Sequence, residues 1–327
     1  MNVITSVVGS FPVIDSYPKG TINKFKDFLG IYKNYEYSIK KAVKCQTTCN
    51  LDLITDGQVR GSMIDIFCKP INGIDIIDNN AFIKGRIMPA HNYKNISDDF
   101  KTCFKSASSI DNKFKLNADK DELFDHTAKG IKGLVTGPTT LINSSVIDGF
   151  YESKEDAIYD MAVAIHEYVV YLEELGASMI QIDDPFIALG VTDISISKDS
   201  IDIITEDITI PIGIHICGDL KENMGDVLDF NLDFFDFEFA GVSGNIDTLQ
   251  MNKNKIGDSM ISIGCIDTKL KEIDNKETVF NTVKKVTDII NNKNIIIDPD
   301  CGMRLLDYNL VYNKLQLLNS TAKKFEV

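Results

Sequence analysis

The chain has 327 residues, with 48 acidic and 34 basic side chains, so its formal net charge is −14. That balance argues against a sequence-independent grip on nucleic acid or on an anionic membrane surface, because both demand a positive field. No apolar run approaches the ~18 residues of a membrane-spanning helix, and 44% hydrophobic with 25% charged residues suits a globular chain with a full core.

At ~150 residues per domain the length gives about two domains, but one α/β barrel also reaches this size. The start, MNVITSVVGSFPV, lacks the basic region of a secretion signal and reads as a strand. The seven cysteines are odd in number and widely spaced, which predicts a reducing cytoplasm rather than a disulfide framework. Cys45 and Cys49 stand one helical turn apart and read as packing residues.

In chain order, residues 3–8 read as a strand followed by Gly9 and Ser10, 35–49 as a helix, and 51–55 as a strand ending in Asp56-Gly57. Residues 71–95 read as a hairpin around Asn79-Asn80, since asparagine tolerates turn geometry. The stretch 96–128 is polar with weak helical periodicity, and together with the hairpin it forms an extension at about 71–128. A strand at 133–136 ends in Gly137-Pro138. Over 154–175, Ile158, Met161, Ala162, Ile165, Tyr168, Val169 and Leu172 recur at helical spacing, with Ser153 as the N-cap.

Strands then follow at 179–182, 212–216, 234–239, 260–264 and 294–297. Helical segments lie near 197–207, 221–229, 245–254, 276–291 and 308–325. This alternation predicts βαβ units and a parallel sheet. Eight or nine strands, without GxGxxG or a P-loop, predict a closed (β/α)8 barrel over one domain, 1–327.

Such barrels build their sites from the C-terminal strand ends. Ser10, Asp56-Gly57-Gln58, Asp183-Asp184, His215, Cys217, Glu238, Asp267, Asp300 and Cys301 all fall there. His215 and Cys217 are two residues apart on a strand and so share a face. With Cys301 and Glu238 they offer an imidazole, two thiolates and a carboxylate, a donor set for zinc in which the oxygen ligand is exchangeable. The same residues also fit a barrel-core histidine beside two unrelated buried cysteines. Asp183 and Asp184 point to opposite faces, so at most one faces the site. Each reads either as a ligand for an ammonium or proton, or as a helix cap.

In order, VVGSFP, LDLITDGQ, GPTTL, IQIDDP, HICGD, FEFAG and DPDCG resemble the motifs of the catalytic barrel of cobalamin-independent methionine synthase, over roughly 1–325. The resemblance implies zinc-dependent methyl transfer to the thiol of L-homocysteine. It makes His215, Cys217, Glu238 and Cys301 the metal ligands. Gly9 and Ser10 then hold the substrate carboxylate, Asp183 its amino group, and Gln58 takes the place of a motif glutamate. Asp183 and Glu238 become the catalytic carboxylates.

The departures carry information too. The 327 residues are expected to form one barrel, without the second, N-terminal barrel of the folate-using enzymes. Lys269 stands where they have a proton-donating histidine. Their pterin-stacking tryptophan falls near Ser144, and the chain has no tryptophan at all. In these respects the chain resembles the short, single-barrel methionine synthases. That implies methylcobalamin or a corrinoid as methyl donor, brought by a separate protein, because no cobalamin-binding motif is evident. The alternatives are transfer to another thiol such as coenzyme M, where a sulfonate would favour Arg or Lys at Ser10 and Asp183, a folate-using synthase, a non-catalytic zinc-binding barrel, and a metal-free uroporphyrinogen decarboxylase-like barrel.

Overall fold

A computed structural model describes residues 1–14, 20–28, 34–290 and 294–326. Eight parallel strands form the barrel wall: β1 (Asn2–Thr5), β2 (Leu53–Ile54), β5 (Gly130–Thr136), β7 (Met179–Asp183), β8 (Ile212–Ile216), β9 (Phe234–Glu238), β10 (Met260–Ile266) and β11 (Asn294–Pro299). Their order around the wall is β1-β11-β10-β9-β8-β7-β5-β2. The seam between β1 and β2 is bridged at Thr5 and Asp52 by side-chain and backbone bonds. The Asp52 carboxylate accepts from the Thr5 N–H at 2.9 Å and hydroxyl at 2.7 Å, while the Asp52 N–H donates to the Thr5 carbonyl at 3.1 Å. The predicted (β/α)8 barrel is therefore the fold.

The helices are α1 (Gly20–Phe28), α2 (Asn34–Thr48), α3 (Lys94–Ile110), α4 (Lys120–Phe124), α5 (Pro138–Asn143), α6 (Lys154–Glu174), α7 (Ile194–Thr205), α8 (Met224–Val227), α9 (Gly244–Asn252), α10 (Lys276–Ile289) and α11 (Tyr308–Ala322). Ser153 caps α6 as predicted, accepting from the Asp156 N–H at 3.2 Å. The extension is a hairpin, β3 (Asn72–Ile77) and β4 (Asn80–Met88), joined by β6 (Ser145–Ile147) into a three-stranded sheet that packs on α6, followed by α3 packed on α2. The hairpin turns at Asp78-Asn79, with φ of +49° and +62°, one residue earlier than the sequence suggests, because Asn80 pairs with Ile77 in the ladder.

Strand alternation sorts the interior into layers. At the strand starts, Ile4, Leu53, Met179, Phe234, Met260 and Ile296 form an apolar plug with Leu123 and Phe124 of α4. Above them the inward positions turn polar: Lys132, Gln181, His215, Asp236, Ser262 and Asp298, all buried. The intervening residues Phe235, Phe237 and Phe239 pack with the larger core between strands and helices. A polar layer above an apolar plug leaves the chemistry at the C-terminal mouth.

Candidate active site

His215 is the last but one residue of β8, and Cys217 stands just past the strand's end. Cys301 follows β11, three strands away around the wall. The barrel brings one ligand atom of each within 4.8 Å of the others, and among the described residues this is the one such cluster of potential metal donors. His215 is buried, and its Nδ1–H donates to the Asp236 carboxylate at 2.9 Å. Its other ring nitrogen, Nε2, is buried without a hydrogen-bond partner. An imidazole fixed on one side by a carboxylate and left bare on the other, beside two sulfurs, is the second-sphere pattern of a metal-binding histidine. The donor set fits zinc on its own chemistry.

The neighbouring Cys217 thiol, with His215, pushes the Cys301 thiol down to about 4 against the effect of burial. Cys301 and burial lift Cys217 above the ordinary thiol range. Burial opposes charge on His215, but the Asp236 carboxylate outweighs it and holds the imidazole well above its usual value.

Glu238, the remaining predicted ligand, is buried at the end of β9 and is not among the residues whose ligand atoms all lie within 4.8 Å of one another. One carboxylate oxygen accepts from the Gly218 N–H at 3.0 Å, and the other meets Lys269 Nζ at 2.6 Å. Asp300 lies beside it, where it accepts the backbone N–H groups of Phe239, Ala240 and Gly241 and so shapes the turn that follows Glu238.

The two aspartates after β7 divide their work. Asp184 faces away from the mouth and caps α5, accepting from the Thr140 N–H at 2.8 Å, the Thr140 hydroxyl at 2.6 Å and the Thr139 N–H at 3.2 Å. Asp183 faces inward and accepts from Gln181 Nε2 at 2.7 Å. Burial pushes the Asp183 carboxyl up to about 6, against the opposing pull of His215. Gln181 also donates to the Val8 carbonyl at 3.1 Å, tying Asp183 to the segment that carries Gly9 and Ser10.

The Ser10 hydroxyl lies against Gly302, where a Cβ would sit 2.0 Å from its Oγ, so Gly302 must lack a side chain for Ser10 to stand beside Cys301. A Cβ on Gly9 would meet Gln58 Oε1 at 3.0 Å. Gln58 therefore faces Gly9, with its Nε2 buried and unpartnered. Asp56 and Asp267 shape loops instead: Asp56 accepts from the Gln58 N–H at 2.8 Å, and Asp267 from the Lys269 N–H at 2.8 Å. Sequence reading missed Asp236, although its place two residues before Glu238 on one strand puts it on the inward face. It missed Lys132 too, whose ammonium bonds to Gln181 inside the barrel.

The sequence model described as "Cobalamin-independent synthase, Catalytic domain" matches residues 3–324. The chain belongs to that family. Methionine synthase of Methanothermobacter thermautotrophicus is 34% identical over 316 residues, covering 96% of this chain and 97% of that protein. Methionine synthase of Methanocaldococcus jannaschii is 32% identical over 339 residues, covering 99% of this chain and all of that one. Among solved structures, a B12-independent methionine synthase from Shewanella sp. W3-18-1, in complex with selenomethionine, superposes with a TM-score of 0.78 at 18% identity, over 98% of this chain and 96% of that one. That likeness shows the barrel, and family membership makes the chain a methyltransferase of the methionine synthase type. Among the described residues, no helix is long and apolar enough to cross a membrane.

Proposed function

We propose that this chain transfers a methyl group from a corrinoid donor to the thiol of L-homocysteine, forming methionine, with zinc held by His215, Cys217, Cys301 and, in its exchangeable position, Glu238. The observation that carries the reading is the bare His215 Nε2 beside two sulfurs, in a mouth that also presents an inward carboxylate and a serine. When bound, zinc supplies a Lewis-acidic centre that lowers the pKa of a thiol brought to it. The rest falls to the protein. Asp236 fixes the tautomer of His215. Ionised Asp183 faces the substrate ammonium. The Ser10 hydroxyl and the Gly9 backbone face its carboxylate, with Gln58 alongside. An amino-acid head suits Ser10 and Asp183 better than a sulfonate does, because Asp183 offers an ammonium a carboxylate and would repel a sulfonate.

Two features favour a corrinoid over a folate. Ser144 is exposed and offers no ring for a pterin to stack on. The Lys269 ammonium is engaged by Glu238 rather than poised over a leaving nitrogen. A corrinoid on a carrier protein also needs an open mouth, and Leu189, Val191, Ile273 and Leu305 stand exposed in the loops that follow β7, β10 and β11. All seven cysteines are free thiols, which favours a reducing cytoplasm.

Single-turnover transfer to homocysteine, run with methylcobalamin and with methyltetrahydrofolate, tests the donor. Methionine should form from methylcobalamin. Faster transfer from the folate would overturn the corrinoid reading, and equal methylation of coenzyme M would overturn the acceptor. Metal analysis should show zinc in the wild type and its loss in Cys301→Ser. Full retention in that variant would overturn the ligand set.

A further inference from the structure

Lys269 makes a contact that an ordinary surface lysine does not. Its own side chain is 67% exposed, while that of its partner Glu238 is 1% exposed, and the two meet at 2.6 Å. The lysine reaches down from solvent onto a buried carboxylate. Exposed ion pairs contribute little because both partners must be held still against water. Here one partner is dry and the other is anchored. The Asp267 carboxylate accepts the Lys269 N–H at 2.8 Å, and the Asp267 N–H donates to Asp274 at 2.8 Å. The buried ammonium of Lys314 then grips that loop from below, at 2.6 Å to Asp274 and 2.9 Å to the Asp267 carbonyl. The loop that carries Lys269 is therefore fixed at its base.

Glu238 needs such a partner. It shares its corner of the mouth with Asp300: a Cβ on Gly241 would lie 2.3 Å from Glu238 Oε1 and 3.1 Å from Asp300 Oδ2, so the two carboxylates are neighbours. A buried carboxylate beside another one, without a cation, is costly. A carboxylate that serves as an exchangeable metal ligand must also have somewhere to go when the substrate sulfur takes its place.

We infer that Lys269 is a positioning residue that receives Glu238 when homocysteine occupies the metal's exchangeable position. It acts through Glu238 rather than on the substrate. In the structure Glu238 bonds to Lys269 and to the Gly218 N–H, the contacts expected of the received arrangement. The inference rests on the metal reading above. It predicts that Lys269 tilts a competition: with the lysine in place homocysteine displaces Glu238 readily, and without it Glu238 stays on the metal.

The test is equilibrium binding of homocysteine to the zinc-loaded protein by calorimetry, with no methyl donor present, alongside zinc affinity by chelator competition. Lys269→Met should weaken homocysteine binding about tenfold while zinc is held as tightly or more so, and Lys269→Arg should stay within about threefold of wild type, since the cation is kept. In a Glu238→Gln background, Lys269→Met should change homocysteine affinity by less than about twofold, because the charge it receives is gone. Unaltered affinity in Lys269→Met overturns the inference. An equal loss in the Glu238→Gln background also overturns it, since Lys269 would then grip the substrate directly. Failure of the wild type to bind zinc at all would defeat the metal reading as well, and is read separately from the chelator data. Thermal melts of each variant monitor folding.

Discussion

At the scale of single residues, the site turns on how each donor is held. His215 offers a metal one nitrogen because Asp236 holds the other at 2.9 Å, with both side chains buried. Asp236→Asn keeps the shape but removes the negative charge and lets the amide flip. Changes of this kind typically weaken metal binding by about 10–100-fold. We expect a loss in that range in chelator competition with zinc, with the fold intact by circular dichroism. Zinc affinity equal to that of the wild type would show that Asp236 does not set the ring. The first layer of this arrangement was legible in the chain because His-x-Cys on one strand and Asp-Cys-Gly at the end of another are local patterns. Which residue stands behind His215 was not. That pairing crosses from β8 to β9 and depends on the register His215↔Asp236, which no local pattern states.

At the scale of elements, Asp184 shows how a neighbour of a site residue can do purely structural work. The chain after β5 turns through Gly137 into α5, and the free N–H groups at the start of α5 point at the Asp184 carboxylate across the β5–β7 pair. Gly137 is required there, since a Cβ would lie 2.2 Å from Asp184 Oδ2. Removing the carboxylate leaves two N–H groups and a hydroxyl without it in a dry place, so Asp184→Ala should cost about 2–4 kcal/mol. Denaturant unfolding measures this, and a loss below about 0.5 kcal/mol would mean that the cap is dispensable. The long helix α6 and strands β7 to β11 were legible because their periodicity is strong and their apolar residues are buried. α1 was not, because Ile22, Phe25 and Phe28 are 74%, 61% and 85% exposed, so the helix carries no apolar stripe aimed at the core. α5 and β6 were missed because six and three residues are too short to show a period. The hairpin turn slipped by one residue because Asp78, Asn79 and Asn80 all tolerate a left-handed backbone. Only the β3–β4 pairing decides among them.

At the scale of the whole molecule, the ladder of the wall is shortest between β2 and β5. Those strands pair only at Leu53–Gly130 and Ile54–Ile131. Beyond that point a cavity of about 370 Å³ opens, lined by Asp56, Gln58, Arg60, Tyr93, Asp99 and Lys132, among others. Nothing in the linear pattern marks this gap, since it arises from one strand of two residues set beside one of seven. It has a consequence for an acidic protein. Burial, reinforced by the Asp99 carboxylate, pushes Asp56 up to about 6. A carboxyl whose pKa is raised on folding binds its proton more tightly in the folded state. Between about 3.8 and 6 the unfolded chain therefore carries fewer protons at this group, and stability contributed here falls as pH rises through that window. Asp56→Asn is neutral at every pH and mimics the protonated form, while its amide oxygen can still accept from the Gln58 N–H. Melting curves should coincide for the two proteins at pH ~3, where both states are protonated at this group. The variant should gain on wild type as pH rises, by roughly 2 kcal/mol above pH 7 after allowing for the part of the side chain that water reaches, with half the divergence at about pH 5, midway between 3.8 and about 6. Parallel curves across that range would show that Asp56 keeps an ordinary pKa, and that the gap in the wall is wet enough to solvate a carboxylate.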